Sequence, residues 1–240
     1  MNKPSHAKEI LDAFEQLWGC EGRDFPEYEH EEPMDGLMLT VLSQNTNDKN
    51  RDKGFDQLKA DFPTWDDVAA ASVADITDRI RCAGLGEIKA GRMKEILAIV
   101  KDKFGVHSIK GLFEWSPEEA KKFLVSLPGV GVKTAAVVLM FDLAMPAFPV
   151  DTHVARISRR IGWVPEKMAA DKIQEYLEAT LPSERFHGGH LNFLEHGRHI
   201  CDARKPKCGE CPILEWCKYG KENSQKKVIK KQLTSSEKSV

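Results

Sequence analysis

Lys133 and Asp151 are the residues whose types and setting best support covalent chemistry. Lys133 follows a glycine hairpin, Leu127-Pro128-Gly129-Val130-Gly131-Val132-Lys133-Thr134, and Asp151 lies downstream in Phe148-Pro149-Val150-Asp151-Thr152-His153. A neutral amine is a nucleophile, and a carboxylate can steady a developing positive charge. Brought together beside a turn that holds a phosphate, the two could break a sugar–base bond. A helix start disfavours an ammonium and favours a carboxylate anion, so each setting pushes its group toward the form this chemistry needs. Partial burial of Lys133 against Val132 and Val137 is expected to add to the effect.

The hairpin itself reads as a ligand-binding turn. Gly129 and Gly131 remove side chains that would keep the backbone away from a ligand, and the next helix start offers unpaired amides and the positive end of its dipole. Helix, Pro-Gly-Val-Gly, helix is a helix-hairpin-helix pattern, and a DNA phosphate suits the backbone of Gly129, Val130 and Gly131.

A second signal is independent of the first. Cys201, Cys208, Cys211 and Cys217 are separated by gaps of six, two and five residues, with Arg204, Lys205 and Lys207 in the first loop. A structural zinc site typically pairs two Cys-x-x-Cys units across a longer finger. One such unit flanked by single cysteines fits four thiolates around a 4Fe–4S cluster better, with zinc as the alternative. Cys20 and Cys82 stand alone and read as small buried hydrophobes.

The elements that must carry these residues are helical. Ile10, Leu11, Phe14, Leu17 and Trp18 recur at helical spacing, and the acidic stretch from Glu27 to Pro33 breaks the pattern. A buried helix opens with Leu37, Leu39, Val41 and Leu42 and ends near Ser43-Gln44-Asn45-Thr46. Asp48 is expected to cap the next helix, and others are expected at 64–70, 73–83 and 87–104. Ser116-Pro117-Glu118-Glu119 is a capping box that starts a helix over 117–126. A further helix comes next over 131–143, its Ala and Val content implying close packing. Asp151-Thr152 start one carrying Val154, Ile157 and Ile161 and stopped by Gly162. No stretch alternates long enough to predict a sheet, so the fold class is all-α. The residues from 222 to 240 are polar and expected to form a disordered tail.

A length of 240 residues allows two small lobes, and 41% hydrophobic with 30% charged residues supports a core. No apolar run reaches membrane-span length and the N-terminus has no apolar signal region, which predicts a soluble intracellular protein, without disulfides. The net charge of −2 hides an asymmetry. Residues 1–70 hold 7 Lys and Arg against 16 Asp and Glu, whereas residues 201–231 hold 9 against 4, a basic face suited to a phosphate backbone.

With these residues in view, the chain resembles endonuclease III-type DNA glycosylases of the helix-hairpin-helix superfamily over roughly residues 10–220. Leu127 to Ala135 resembles the family's hairpin with its catalytic lysine, Val150-Asp151-Thr152-His153 its aspartate motif, the cysteine gaps its 4Fe–4S loop, and Leu194-Glu195-His196-Gly197-Arg198 the helix leading into that loop. The resemblance implies two helical lobes. One is a six-helix domain at 34–146; the other is a discontinuous cluster domain from 1–33 and 147–221, with DNA in the cleft between them. It implies a monomer, cytoplasmic or nucleoid-associated in a bacterium or archaeon, acting on double-stranded DNA that contains a damaged base or an abasic site.

The implied chemistry is base excision with AP lyase activity on oxidised pyrimidines, through a lysine Schiff base and β-elimination. Lys133 and Asp151 would be catalytic, and a lysine at this position counts against adenine excision. Relatives fill the space left by the flipped base with a glutamine; alignment through Ser43 and Asp48 puts Asn45 there, with Gln44 just before it. Leu85, in Gly84-Leu85-Gly86, matches a second wedge residue. Ser43-Gln44-Asn45, Ala147-Phe148-Pro149-Val150-Asp151 and Gly162-Trp163-Val164-Pro165 are also similar to plant 5-methylcytosine glycosylases. An alternative substrate is therefore 5-methylcytosine or thymine opposite guanine. A different class is a non-catalytic iron–sulfur DNA-binding protein, which would have no need of the Lys133–Asp151 pair.

Overall fold

The structure, a computed structural model, describes residues 3–19 and 30–224. Every regular element among them is helical. None of these helices is long and apolar enough to cross a membrane. The chain divides into two compact units, Phe25–Pro146 and Met1–Asp24 together with Ala147–Val240.

The contiguous unit is built around α2 (Pro33–Leu42), which is apolar on nearly every face and so belongs in a core. Glu32 accepts the Met34 amide at its start, and Pro33 occupies the first helical position. Packed on it are α3 (Asp48–Asp61), α6 (Gly86–Phe104) and α8 (Val132–Phe141), and α4 (Trp65–Ala70), α5 (Val73–Ile80) and α7 (Pro117–Ser126) pack in turn on these. The expected close packing of α8 is present. A Cβ on Gly36 of α2 would lie 1.8 Å from Asp142 Oδ1, at the end of α8. Ala135 and Ala136 are fully buried.

The second unit contains α1 (Ala7–Trp18), α9 (Thr152–Ile161), α10 (Ala170–Thr180) and α11 (Phe186–His199), followed by the cysteine loop. α11 packs on both α1 and α9. Gly197 permits the second contact, since a Cβ there would sit 2.3 Å from His153 Nδ1. Phe14 and Phe193 meet edge to face at 5.2 Å in its core, each fully buried and each stabilising by about 2–3 kcal/mol.

Several expectations shift. Asn47, not Asp48, caps α3, accepting the Asn50 amide at 2.9 Å. Both residue types cap well, so local sequence does not choose between neighbours. The helix expected over 73–83 is α5 plus a 3-10 turn, Arg81–Ala83. α10 is additional, although Ile173, Tyr176 and Leu177 mark its buried face at helical spacing. Residues 222–224 are helical, and the rest of the expected tail lies outside the described residues, as does Cys20. Cys82 is only half-buried, its Sγ 3.5 Å from Asn50 O.

Candidate functional site

The hairpin is prepared by the ends of the helices that flank it. Ser116 and Glu119 form the reciprocal capping box that starts α7, as expected from sequence. Beyond α7, Gly129 takes φ +75°, where a side chain is strained, and a Cβ on it would lie 2.7 Å from Arg92 Cδ. Gly131 is the extended N-cap of α8, has no side-chain cap and faces open space. The first amides of α8 are thus left available to an external acceptor. Val130 serves the turn itself: its side chain is 4% exposed and its amide donates to Leu127 O.

Two side chains tie this turn to the rest of its unit. Gln44 Nε2 donates to Gly129 O at 2.8 Å, and Arg92 Nη1 donates to Gln44 Oε1 at 2.9 Å. Neither link was foreseen, because the partners are far apart in sequence. Asn45 and Leu85 both adopt left-handed backbone, φ 54° and 53°, and both are exposed. Asparagine tolerates this conformation, whereas for leucine it costs about 1–2 kcal/mol, so the surrounding structure imposes it on Leu85.

Lys133 is the second residue of α8 and is exposed. The expected burial against Val132 and Val137 is therefore absent, and both valines are themselves only half-buried. Asp151, in the other unit, is the N-cap of α9, its Oδ1 accepting the Val154 amide at 2.8 Å.

Cys201, Cys208, Cys211 and Cys217 come together around one cavity, whose other walls include Ile157, Ile161, Ile200 and Ile213. Four thiols facing one apolar cavity are the donor set that a 4Fe–4S cluster takes, one cysteine to each iron. Burial pushes the Cys211 thiol up to about 12 and raises that of Cys217, so thiolates here need a cationic partner. Donors approach the sulfurs as cluster thiolates require: Gly220 N at 3.3 Å from Cys217, Arg160 Nη1 at 3.3 Å from Cys201 and Asn223 Nδ2 at 3.4 Å from Cys208. His196 stacks on Phe14 at 4.2 Å with Nε2 3.6 Å from Cys211 Sγ. Its burial, aided by Arg156, lowers the imidazole pKa to about 4 and keeps it neutral. The residues present fit the cluster.

Sequence reading missed Arg156 and Arg160. Arg156 donates to the carbonyls of Gly197 and Cys201, and Arg160 to those of Cys201, Asp202 and Ala203. Both arise from α9, the helix capped by Asp151.

Comparison with known proteins agrees with this geometry. The HhH-GPD superfamily of base excision DNA repair proteins matches residues 38–183, and the iron–sulfur binding domain of endonuclease III matches residues 201–217, which begin and end on cysteines of the cradle. Endonuclease III of Rickettsia prowazekii is 50% identical over 183 residues, covering 76% of this chain and 82% of the relative. Endonuclease III of Thermotoga maritima is 37% identical over 188 residues, 78% of this chain and 84% of that one. Among solved structures, a non-covalent endonuclease III–DNA complex matches with a TM-score of 0.77 at 28% identity, covering 94% of this chain and all of that one. The chain therefore belongs to the HhH-GPD superfamily of base excision DNA repair proteins, as an endonuclease III-type DNA glycosylase/AP lyase with a 4Fe–4S cluster loop.

Proposed function

We propose that the protein, acting as a monomer, excises oxidised pyrimidines from double-stranded DNA and then cuts the strand, with Lys133 as nucleophile and Asp151 as its carboxylate partner. The observation that carries this reading is the placement of Lys133. It is an exposed amine at the second residue of α8, whose glycine N-cap leaves the helix amides open for a phosphate. A phosphate held by those amides would bring the adjoining sugar within the lysine's reach.

The target base must first leave the stack, because its glycosidic bond is inaccessible within the duplex. Leu85 and Asn45 are suited to enter the space it vacates, both being exposed and held in left-handed backbone. Gln44 is committed to Gly129 O and Arg92, which favours Asn45 as the residue that fills the gap. The carboxylate of Asp151 would stabilise the positive charge that develops on the sugar and help deprotonate Lys133. The amine then attacks C1′, and the glycosidic electron pair leaves with the base, which takes up a proton. Ring opening gives an imine, whose electron demand acidifies the C2′ hydrogen. Loss of that proton expels the 3′ phosphate, and hydrolysis of the imine frees Lys133.

The 4Fe–4S cluster supplies a structural and electrostatic centre for its loop. Arg160 and Arg156 hold that loop's carbonyls, and Lys205 and Lys207 add positive charge on it.

Borohydride trapping across a panel of single-lesion duplexes tests the assignment. The wild-type enzyme should give a covalent adduct and strand cleavage with oxidised pyrimidines. Lys133→Ala should lose both and keep its affinity for the same duplexes within about threefold, because the backbone hairpin is untouched. Undiminished trapping in Lys133→Ala would move the nucleophile elsewhere. Preferential excision of 5-methylcytosine, or of thymine opposite guanine, would replace the substrate assignment.

A further inference from the structure

Lys89, in α6, is 1% exposed and among the largest fully buried side chains of the protein. Its Nζ donates to Leu42 O at 2.7 Å and to Ala83 O at 2.9 Å. Leu42 is the last residue of α2, and Ala83 is the last residue of the 3-10 turn after α5. The final carbonyls of helical segments lack intrahelical partners and carry partial negative charge, so an ammonium is well matched to them.

Each of these carbonyls leads into unusual backbone. Three residues past Leu42 stands Asn45 at φ 54°, and two residues past Ala83 stands Leu85 at φ 53°. Among the described residues only His6 and Ala144 are the other non-glycine positions with positive φ. Lys89 therefore sits at the root of two exposed loops with left-handed tips at Asn45 and Leu85, the second of them strained. Taking a charge out of water is costly, and an apolar side chain of similar size would fill the space without that cost. A lysine here is explained by the two carbonyls it joins. Burial lowers its pKa, with repulsion from Arg92 adding to the effect, yet the neutral amine would still have two N–H donors for two acceptors.

We propose that Lys89 is a positioning residue for base extrusion: by clamping Leu42 O and Ala83 O it fixes the spacing of Asn45 and Leu85, so that the two enter the duplex as one wedge. This rests on the reading of those two residues as the gap-filling pair. Lys89 would touch neither DNA nor the reacting atoms.

The test compares two single-turnover rates at saturating enzyme: excision of a paired lesion, using the single-lesion duplex that the wild type cuts fastest, and cleavage of the same duplex with a pre-formed abasic site. Lys89→Met keeps the bulk and removes both donors. It should slow excision of the paired lesion by about tenfold or more, the size expected when buried carbonyls lose their donor, and abasic cleavage by about twofold at most. It should also damp the rise in fluorescence of a 2-aminopurine placed beside the lesion, which reports extrusion. Lys89→Gln keeps an N–H donor and should show the same split to a smaller degree, providing the test if Lys89→Met does not fold.

Equal losses on both substrates, or no loss on either, would overturn the clamp and leave Lys89 as ordinary packing. Leu85→Ala and Asn45→Ala, assayed on the same pair, separate the two levels of the inference. If they lack the split, the wedge reading fails. If they show it and the Lys89 variants do not, the clamp alone fails. In the Leu85→Ala background, Lys89→Met should have little further effect on excision, since both changes disable one device.

Discussion

At the scale of single residues, Asp151 combines two functions that one substitution can separate. As the N-cap of α9 it accepts the Val154 amide, and asparagine caps a helix equally well. Its negative charge, however, is lost in Asp151→Asn. The variant should melt within about 2 °C of the wild type, yet excise its base about a hundredfold more slowly or worse, the magnitude typical for removing one preorganised electrostatic contact. Thermal melting followed by single-turnover excision at neutral pH checks both halves. Full activity would remove Asp151 from the chemistry, and a large fall in melting temperature would make the cap its main role.

At the scale of elements, the two hairpin glycines have different physical reasons. Gly129 lies at φ +75° and its missing Cβ leaves room for Arg92, which in turn holds Gln44. Gly131 is extended and faces open space. Gly129→Ala should therefore destabilise the protein by about 1–2 kcal/mol and weaken binding to undamaged duplex DNA. Gly131→Ala should leave the melting temperature nearly unchanged and weaken only DNA binding, because its new methyl group meets an incoming phosphate rather than protein. Denaturant melts and salt-matched binding curves for the two variants check the contrast. Identical behaviour would mean that the hairpin glycines serve the fold alone.

At the scale of the whole molecule, the cluster loop and the helix of Asp151 are mechanically joined. Arg156 and Arg160 reach from α9 to the carbonyls of Gly197, Cys201, Asp202 and Ala203, and the guanidinium of Arg160 stacks 4.6 Å from the Tyr219 ring. Purified protein should carry about four irons per chain with broad visible absorbance. Stripping the iron with a chelator should raise hydrogen exchange in the 201–217 loop and in α9, and abolish excision, while α7 and α8 keep their protection. Activity that survives complete iron removal would show that α9 holds Asp151 without the loop.

By itself the sequence determined the features that short-range chemistry encodes. The capping box at Ser116 and Glu119, the glycine turn before Lys133, the helix start at Asp151 and the cysteine spacing over 201–217 each lie within one short stretch of chain, where backbone sterics and metal-ligand reach set the pattern. The tertiary structure decided the rest. Gln44 meets Gly129 across 85 residues, Arg92 meets Gln44 across 48, and Lys89 meets Leu42 across 47. None of these pairs has a local signature, because a buried lysine or an arginine against a glycine looks like any solvated charge until packing removes the water around it. The fold likewise imposed left-handed backbone on Leu85 against its own preference and left Lys133 uncovered. Local propensity costs about 1–2 kcal/mol to override, and the contacts of a folded core supply more than that.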